Sequence, residues 1–154
     1  MPKPSRQLAP DNKDVLFGQG LYDYFADVMP QKYPVIRHIA WLLARGDRER
    51  GLQRLQEAAS NGQYARTEAQ FLLAQIYRLF EDDPQQALIY LAALRRAYPE
   101  NALFHRYSAR TLAESGRWNH AVPMYREVIE RSRAGRLGYH LRAQIEAQDR
   151  KSVG

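Results

Sequence analysis

Residues 87–95 read Ala87-Leu88-Ile89-Tyr90-Leu91-Ala92-Ala93-Leu94-Arg95, and the spacing of the apolar side chains in this stretch decides the fold. Ala87, Leu88, Leu91 and Leu94 stand at offsets 0, 1, 4 and 7, the stripe of a helix rather than the alternation of a strand. Offset 8 is Arg95. On the N-terminal side Gly51, Leu52, Leu55, Ala58 and Ala59 fill the same offsets, and on the C-terminal side Ala121, Val122, Tyr125, Val128 and Ile129 do so. Each set starts on a small residue, 36 and then 34 residues after the one before. One such stripe is any amphipathic helix, but three in step at a period of about 35 residues make a repeat. The small residue has a physical task, because Gly or Ala at a helix crossing lets two backbones approach closely.

Turn signals fall at matching places. Gly46-Asp47, Asp82-Asp83-Pro84 and Ser115-Gly116-Arg117 each precede one of the three sets, and each reads as a helix stop followed by a new start. Asn61-Gly62 and Tyr98-Pro99-Glu100-Asn101 close the first and second sets. Upstream of each turn the spacing predicts a partner helix, at about 33–45, 66–80 and 102–114. The unit is therefore a helix-turn-helix hairpin, expected at about 33–60, 66–98 and 101–133. Pro123 removes one backbone donor from the last hairpin and is expected to loosen its second helix.

Outside the hairpins, residues 1–14 carry Pro2, Pro4 and Pro10 among polar residues and read as a flexible lead-in. A leading helix follows, with Gly18-Gln19-Gly20 read as a hinge and with Tyr22, Tyr24 and Phe25 packing onto the first hairpin. At the other end, 137–148 reads as a last helix with Leu141 and Ile145 four apart, a capping helix or the start of a fourth unit, and the polar Arg142, Gln144, Glu146 and Gln148 favour the cap. No alternating β-branched run is present, so the chain is expected to be all-α. Residues 15–150 are expected to form one helical-repeat domain.

At this point the sequence resembles the tetratricopeptide repeat family. Its pattern is a small residue and an aromatic in the first helix, a Gly-containing turn, then small, apolar, aromatic and small positions before a closing proline. Gly116-Arg117-Trp118, Ala121 and Tyr125 carry the best match. Leu73-Ala74, Tyr77, Ala87, Leu91, Leu94 and Pro99 carry the second, with one extra residue in the turn, and Gly46-Asp47, Gly51, Leu55 and Ala58 carry the third. Ser132-Arg133-Ala134-Gly135 stands where proline is usual. The resemblance implies a right-handed α-solenoid of about three tetratricopeptide-like hairpins, spanning about 33–133. The stretch from Gly18 to Pro30, with Gly46–Leu52, Arg66–Ala69 and Tyr98–Asn101, is also similar to a group of uncharacterised bacterial tetratricopeptide proteins. More distantly, it is similar to the eukaryotic inclusion-body-clearance family. Members of the bacterial group are longer and often exported, which implies the C-terminal part of a larger solenoid. Neither group contributes catalytic residues.

Composition sets the class and leaves the compartment open. The 154 residues are 45% hydrophobic and 26% charged, ordinary for a soluble globular chain. No run approaches the roughly 18 apolar residues of a membrane span, and no secretory signal is visible in the first residues. The expectation is a soluble protein, cytoplasmic or, as part of a longer exported chain, periplasmic. Zero cysteines exclude disulfides, thiolate metal sites and cysteine nucleophiles.

Catalytic chemistry finds little footing. His38, His105, His120 and His140 never stand four apart, so no helical face offers two histidine ligands. Gly18-Gln19-Gly20 lacks the preceding strand and third glycine of a phosphate-cradling loop, and neither a Gly-Lys-Ser/Thr loop nor a Gly-x-Ser-x-Gly elbow occurs. Glu81-Asp82-Asp83 reads as a solvated turn that favours the following helix N-terminus. Neither an enzyme nor a bound cofactor or metal is expected.

The expected activity is that of an interaction scaffold with a protein or peptide partner. Stacked hairpins build an extended concave surface, and in this family the first helix of each unit lines it. The resemblance thus implies a lining of Phe71, Gln75 and Arg78 in one unit and Leu103, Arg106 and Arg110 in the next. Arg106 and Arg110 lie four apart on one face, and guanidinium forks suit carboxylates. The expected ligand is an acidic or C-terminal segment, set against the bland reading of solvated arginines. Leu103 and Arg106 occupy the helix in which the family's two-carboxylate clamp has Lys and Asn, so chaperone-tail binding is not supported. The competing class is nucleic acid, prompted by a net charge of +6. Residues 116–154 hold eight of the basic and four of the acidic residues, interleaved at helix-surface spacing, so a solvated face is the better reading. Self-association through an exposed solenoid end is the remaining partner class.

Overall fold

A computed structural model describes residues 13–36 and 45–135. The capping helix expected at 137–148, most of the lead-in and most of the helix expected at 33–45, with His38 and His140, lie outside the described residues. Six α-helices are described: α1 (Asp14–Lys32), α2 (Arg48–Asn61), α3 (Arg66–Leu79), α4 (Pro84–Ala97), α5 (Ala102–Glu114) and α6 (Trp118–Arg133). The described residues contain no strand. The chain divides into two compact units at Leu73/Ala74, within α3.

In the first unit α1 packs on α2. Their closest approach is built from glycines. A Cβ on Gly51 would stand 2.8 Å from Tyr24 Cα, and one on Gly20 would stand 2.9 Å from the Gly51 carbonyl oxygen and from Leu55 Cγ. Tyr24, Leu55 and Ala58 are fully buried around this crossing. The small residue that opens the first stripe therefore sits where two backbones meet. Gly18-Gln19-Gly20 does not form the expected hinge, because all three residues lie inside the unbroken α1. Gly20 is there for contact with α2.

Capping fixes the ends of these helices. Asp47, in extended conformation, accepts a hydrogen bond from the Arg50 amide at 2.9 Å and starts α2. The Asp47 amide donates to the Asp23 carbonyl, and the Arg48 amide donates to Asp27 Oδ2 at 3.0 Å, so the turn before α2 docks on α1. Asp14 Oδ1 accepts from the amides of Tyr64 and Ala65, tying the start of α1 to the turn before α3.

The second unit holds the end of α3 together with α4, α5 and α6. Asp83 caps α4 by accepting from the Gln86 amide, with Pro84 at the first helical position, where its missing N–H costs nothing. Asp82 takes a positive φ of 53° to make the turn, a conformation that aspartate tolerates better than most residues. Asn101 caps α5 in the same way through the Leu103 amide, and Gly116 at φ 75° turns the chain from α5 into α6. Ala87 and Ala121, the small residues of the second and third stripes, are fully buried, as are Leu91 and Leu94. Tyr77 and Tyr90 stack with centroids 6.0 Å apart, and Tyr98 leans on Phe104. Pro123 does not interrupt α6, which runs unbroken to Arg133. It lies on an exposed position of the helix.

Candidate functional site

The predicted lining residues of the second unit come from α3 and α5. Arg78 is the centre. Its side chain is only 6% exposed, and its Nη1 donates to both oxygens of Glu114, at 2.9 and 3.1 Å. Nη2 donates to Gln75 Oε1 at 2.8 Å, and the guanidinium lies 5.3 Å from the centroid of the Tyr107 ring. Arg110 Nε donates to Glu114 Oε1 at 2.7 Å, so one carboxylate binds two arginines. Gln75, Arg78 and Arg110 are thereby brought together. Arg106 lies one turn before Arg110 on α5 and is half-buried, as is Leu103. Phe71 belongs to the first unit and is half-buried there.

Glu114 was missed as a member of this cluster. Its spacing from Arg110, four residues on α5, was visible in the sequence, whereas its contact with Arg78 across 36 residues was not. Partial burial pushes the Glu114 pKa up, but the hydrogen bonds from Arg78 and Arg110 outweigh it and hold the group below its ordinary 4.5. Arg110 is correspondingly held in its charged form by Glu114. A carboxylate with a depressed folded pKa contributes stability that is fully present above its unfolded pKa and is lost as pH falls through the folded one. The wild-type thermal midpoint should therefore fall as pH drops below about 4.5, and Glu114→Gln should flatten that part of the profile. At neutral pH the substitution should cost about 1 kcal/mol, a figure held low because Glu114 is itself partly exposed.

In the contacts described the cluster holds two arginines, Arg78 and Arg110, on one glutamate. Two donors inside it, Gln75 Nε2 and Arg78 Nε, are buried without an acceptor among the described residues. The arrangement can take a hydrogen-bond acceptor, and it offers no nucleophile and no paired acid and base. Among the described residues no group of His, Asp and Glu is placed to hold a metal ion. His105 is buried with Nε2 3.0 Å from the Pro99 carbonyl, so Nε2 carries the proton, and burial lowers its pKa from 6.5. His120 is exposed on α6. Of the interleaved C-terminal charges, Arg131 pairs with Glu127 at 2.7 Å on the α6 surface. No described helix is long and apolar enough to cross a membrane.

Successive helices joined by short turns, with no strand among the described residues and a buried small residue opening each stripe, make a helical-repeat fold. Residues 68–101 match the family model described as Tetratricopeptide repeat, and the chain carries a repeat of that family. The match runs through α3, the Glu81–Asp83 turn and α4 to the Tyr98–Asn101 breaker. The family is in general one of non-catalytic protein–protein interaction modules. No curated protein and no solved structure matches the chain.

Proposed function

We propose that the chain is a scaffold module whose second unit binds an acidic or C-terminal segment of a partner protein. Gln75, Arg78, Leu103, Arg106 and Arg110 form the contact surface on the second unit, whereas Phe71 belongs to the first unit. The observation that carries this reading is the exposed Arg110 guanidinium, which shares the single Glu114 carboxylate with the buried Arg78. Arginine forks give a partner's carboxylate a defined geometry. Glu114 has a positioning role, holding Arg78 and Arg110 side by side.

The test is affinity capture with the folded chain, comparing wild type with the double variant Arg106→Glu/Arg110→Glu. Both positions are at least partly solvent-facing, so the variant should keep its helical signal and a midpoint within a few degrees. Bound protein should drop by at least about tenfold, since two attractive pairs become repulsive. Unchanged capture, together with a salt-sensitive shift of single-stranded RNA, would favour the nucleic-acid reading instead.

A further inference from the structure

The first unit contains a cavity of about 340 Å³ lined by Gly18, Gln19, Tyr22, Asp23 and Arg54. None of these residues is among those assigned to partner binding. One member of its lining is out of place by local rules. Gly18 sits in the interior of α1, where glycine is the poorest residue other than proline. Gly20 and Gly51 have an evident reason to be glycine, because backbone and side-chain atoms occupy the space of their missing Cβ atoms. Gly18 has none among the described residues, where a Cβ would meet nothing within 4 Å. The space it leaves open belongs to the cavity. A glycine that no internal packing requires, at the edge of a cavity, is what the close approach of a ligand to the backbone demands.

The chemistry of the walls limits the ligand. The Asp23 side chain is 7% exposed and is fully engaged. Arg50 donates to it through Nε and Nη2, both at 3.1 Å, and Arg54 donates through Nη1. The Arg50 hydrogen bond holds the Asp23 carboxyl below its ordinary pKa against the effect of burial. Asp23 is therefore neither a base nor a cation ligand, and two guanidinium groups beside it repel metal ions. Arg54 is one-third exposed and lines the cavity, Gln19 adds an amide, and Tyr22 adds a partly exposed ring. These groups favour an acceptor. Arg50 also lies 3.5 Å from Asp47, so two arginines face two aspartates and the local formal charge is balanced. With those charges matched, recognition of an acceptor rests on the hydrogen-bond donors of Arg54 and Gln19. The volume lies at the small end of ligand sites, ~300–1,000 Å³, and suits a side chain with its adjoining backbone.

We propose that this cavity is a second binding site, in the first unit, for a carboxylate-bearing peptide segment, with Arg54 and Gln19 holding the carboxylate and Gly18 admitting the backbone. The probe is the acetylated and amidated peptide Ala-Glu-Glu-Ala, titrated into isotope-labelled full chain and followed by amide chemical shifts. Ala-Gln-Gln-Ala is the neutral control, and inorganic phosphate is the third titrant. The acidic peptide should shift the amides of Gly18, Gln19, Tyr22 and Arg54 with a dissociation constant of ~1 mM, and the neutral peptide should not. Gly18→Leu fills the cavity, keeps or raises the thermal midpoint, and should weaken binding by about tenfold or more. Arg54→Gln should weaken it to a similar extent. Arg96→Glu, a charge reversal at an exposed position of α4 that belongs to neither site, should leave the shifts of these first-unit amides as in wild type. The proposal is overturned by an absence of shifts up to ~10 mM peptide, by equal shifts with the neutral peptide, by binding of phosphate alone, or by undiminished binding in a folded Gly18→Leu.

Discussion

Gly51→Leu is expected to destabilise the first unit by about 3 kcal/mol, lowering the thermal midpoint by about 10 °C. A Cβ at this position would come within 2.8 Å of Tyr24 Cα, so a leucine meets backbone, which cannot rotate away. α1 would have to lift from α2. That movement would also pull Gly20 off the Gly51 carbonyl and strain the ion pairs between Asp23 and the arginines of α2. The higher helix propensity of leucine offsets only about 1 kcal/mol of the cost. A melting curve followed by circular dichroism measures the effect. Gly18→Leu is the matched control, the same change two residues before Gly20 in the facing helix, and it should leave the midpoint unchanged or higher. If the two variants melted together, the glycine-lined crossing would be wrong.

Leu91→Ala should cost the second unit a similar amount, about 3 kcal/mol, through a cavity rather than a clash. Leu91 is fully buried at offset 4 of the second stripe, between Ala87 and Leu94, which are also fully buried. Truncation removes the favourable burial of three carbon atoms and leaves a void that the flanking helices fill only in part. The exposed Ile89, two residues away on the same helix, should tolerate alanine with a change within about 0.5 kcal/mol. Urea denaturation of the two variants separates the cases. A loss at position 91 no greater than that at position 89 would contradict the assignment of the stripe as core.

The contrast between these positions shows what could be read from the chain alone. Gly51, Ala87 and Ala121 were legible as buried positions because a small residue recurs in register, and Gly51 lies at the close approach to α1. Asp47, Asp83 and Asn101 were legible as helix starts because capping is a local interaction. Gly18 and Gly20 were not, since local propensity treats any glycine pair as a break. Gly20 becomes explicable only with Gly51, 31 residues away, in contact with it. Pro123 costs one backbone donor, and at its exposed position the helix continues through it to Arg133. The site divides along the same line. The Arg106 and Arg110 spacing is visible on one helix, but the burial of Arg78 and its capture by Glu114 depend on two helices meeting. The Asp23 cluster joins residues 27 and 31 apart and had no signature in the sequence at all.

Recognition of a partner's carboxylate by the α3 and α5 residues of the second unit is tested most directly by quantitative capture with the intact chain, with Arg106→Glu/Arg110→Glu set beside a charge reversal of Arg96, an exposed position on α4. The double variant should lose binding about tenfold or more, and Arg96→Glu should retain it. Equal losses in the two, or full retention in both, would contradict that recognition.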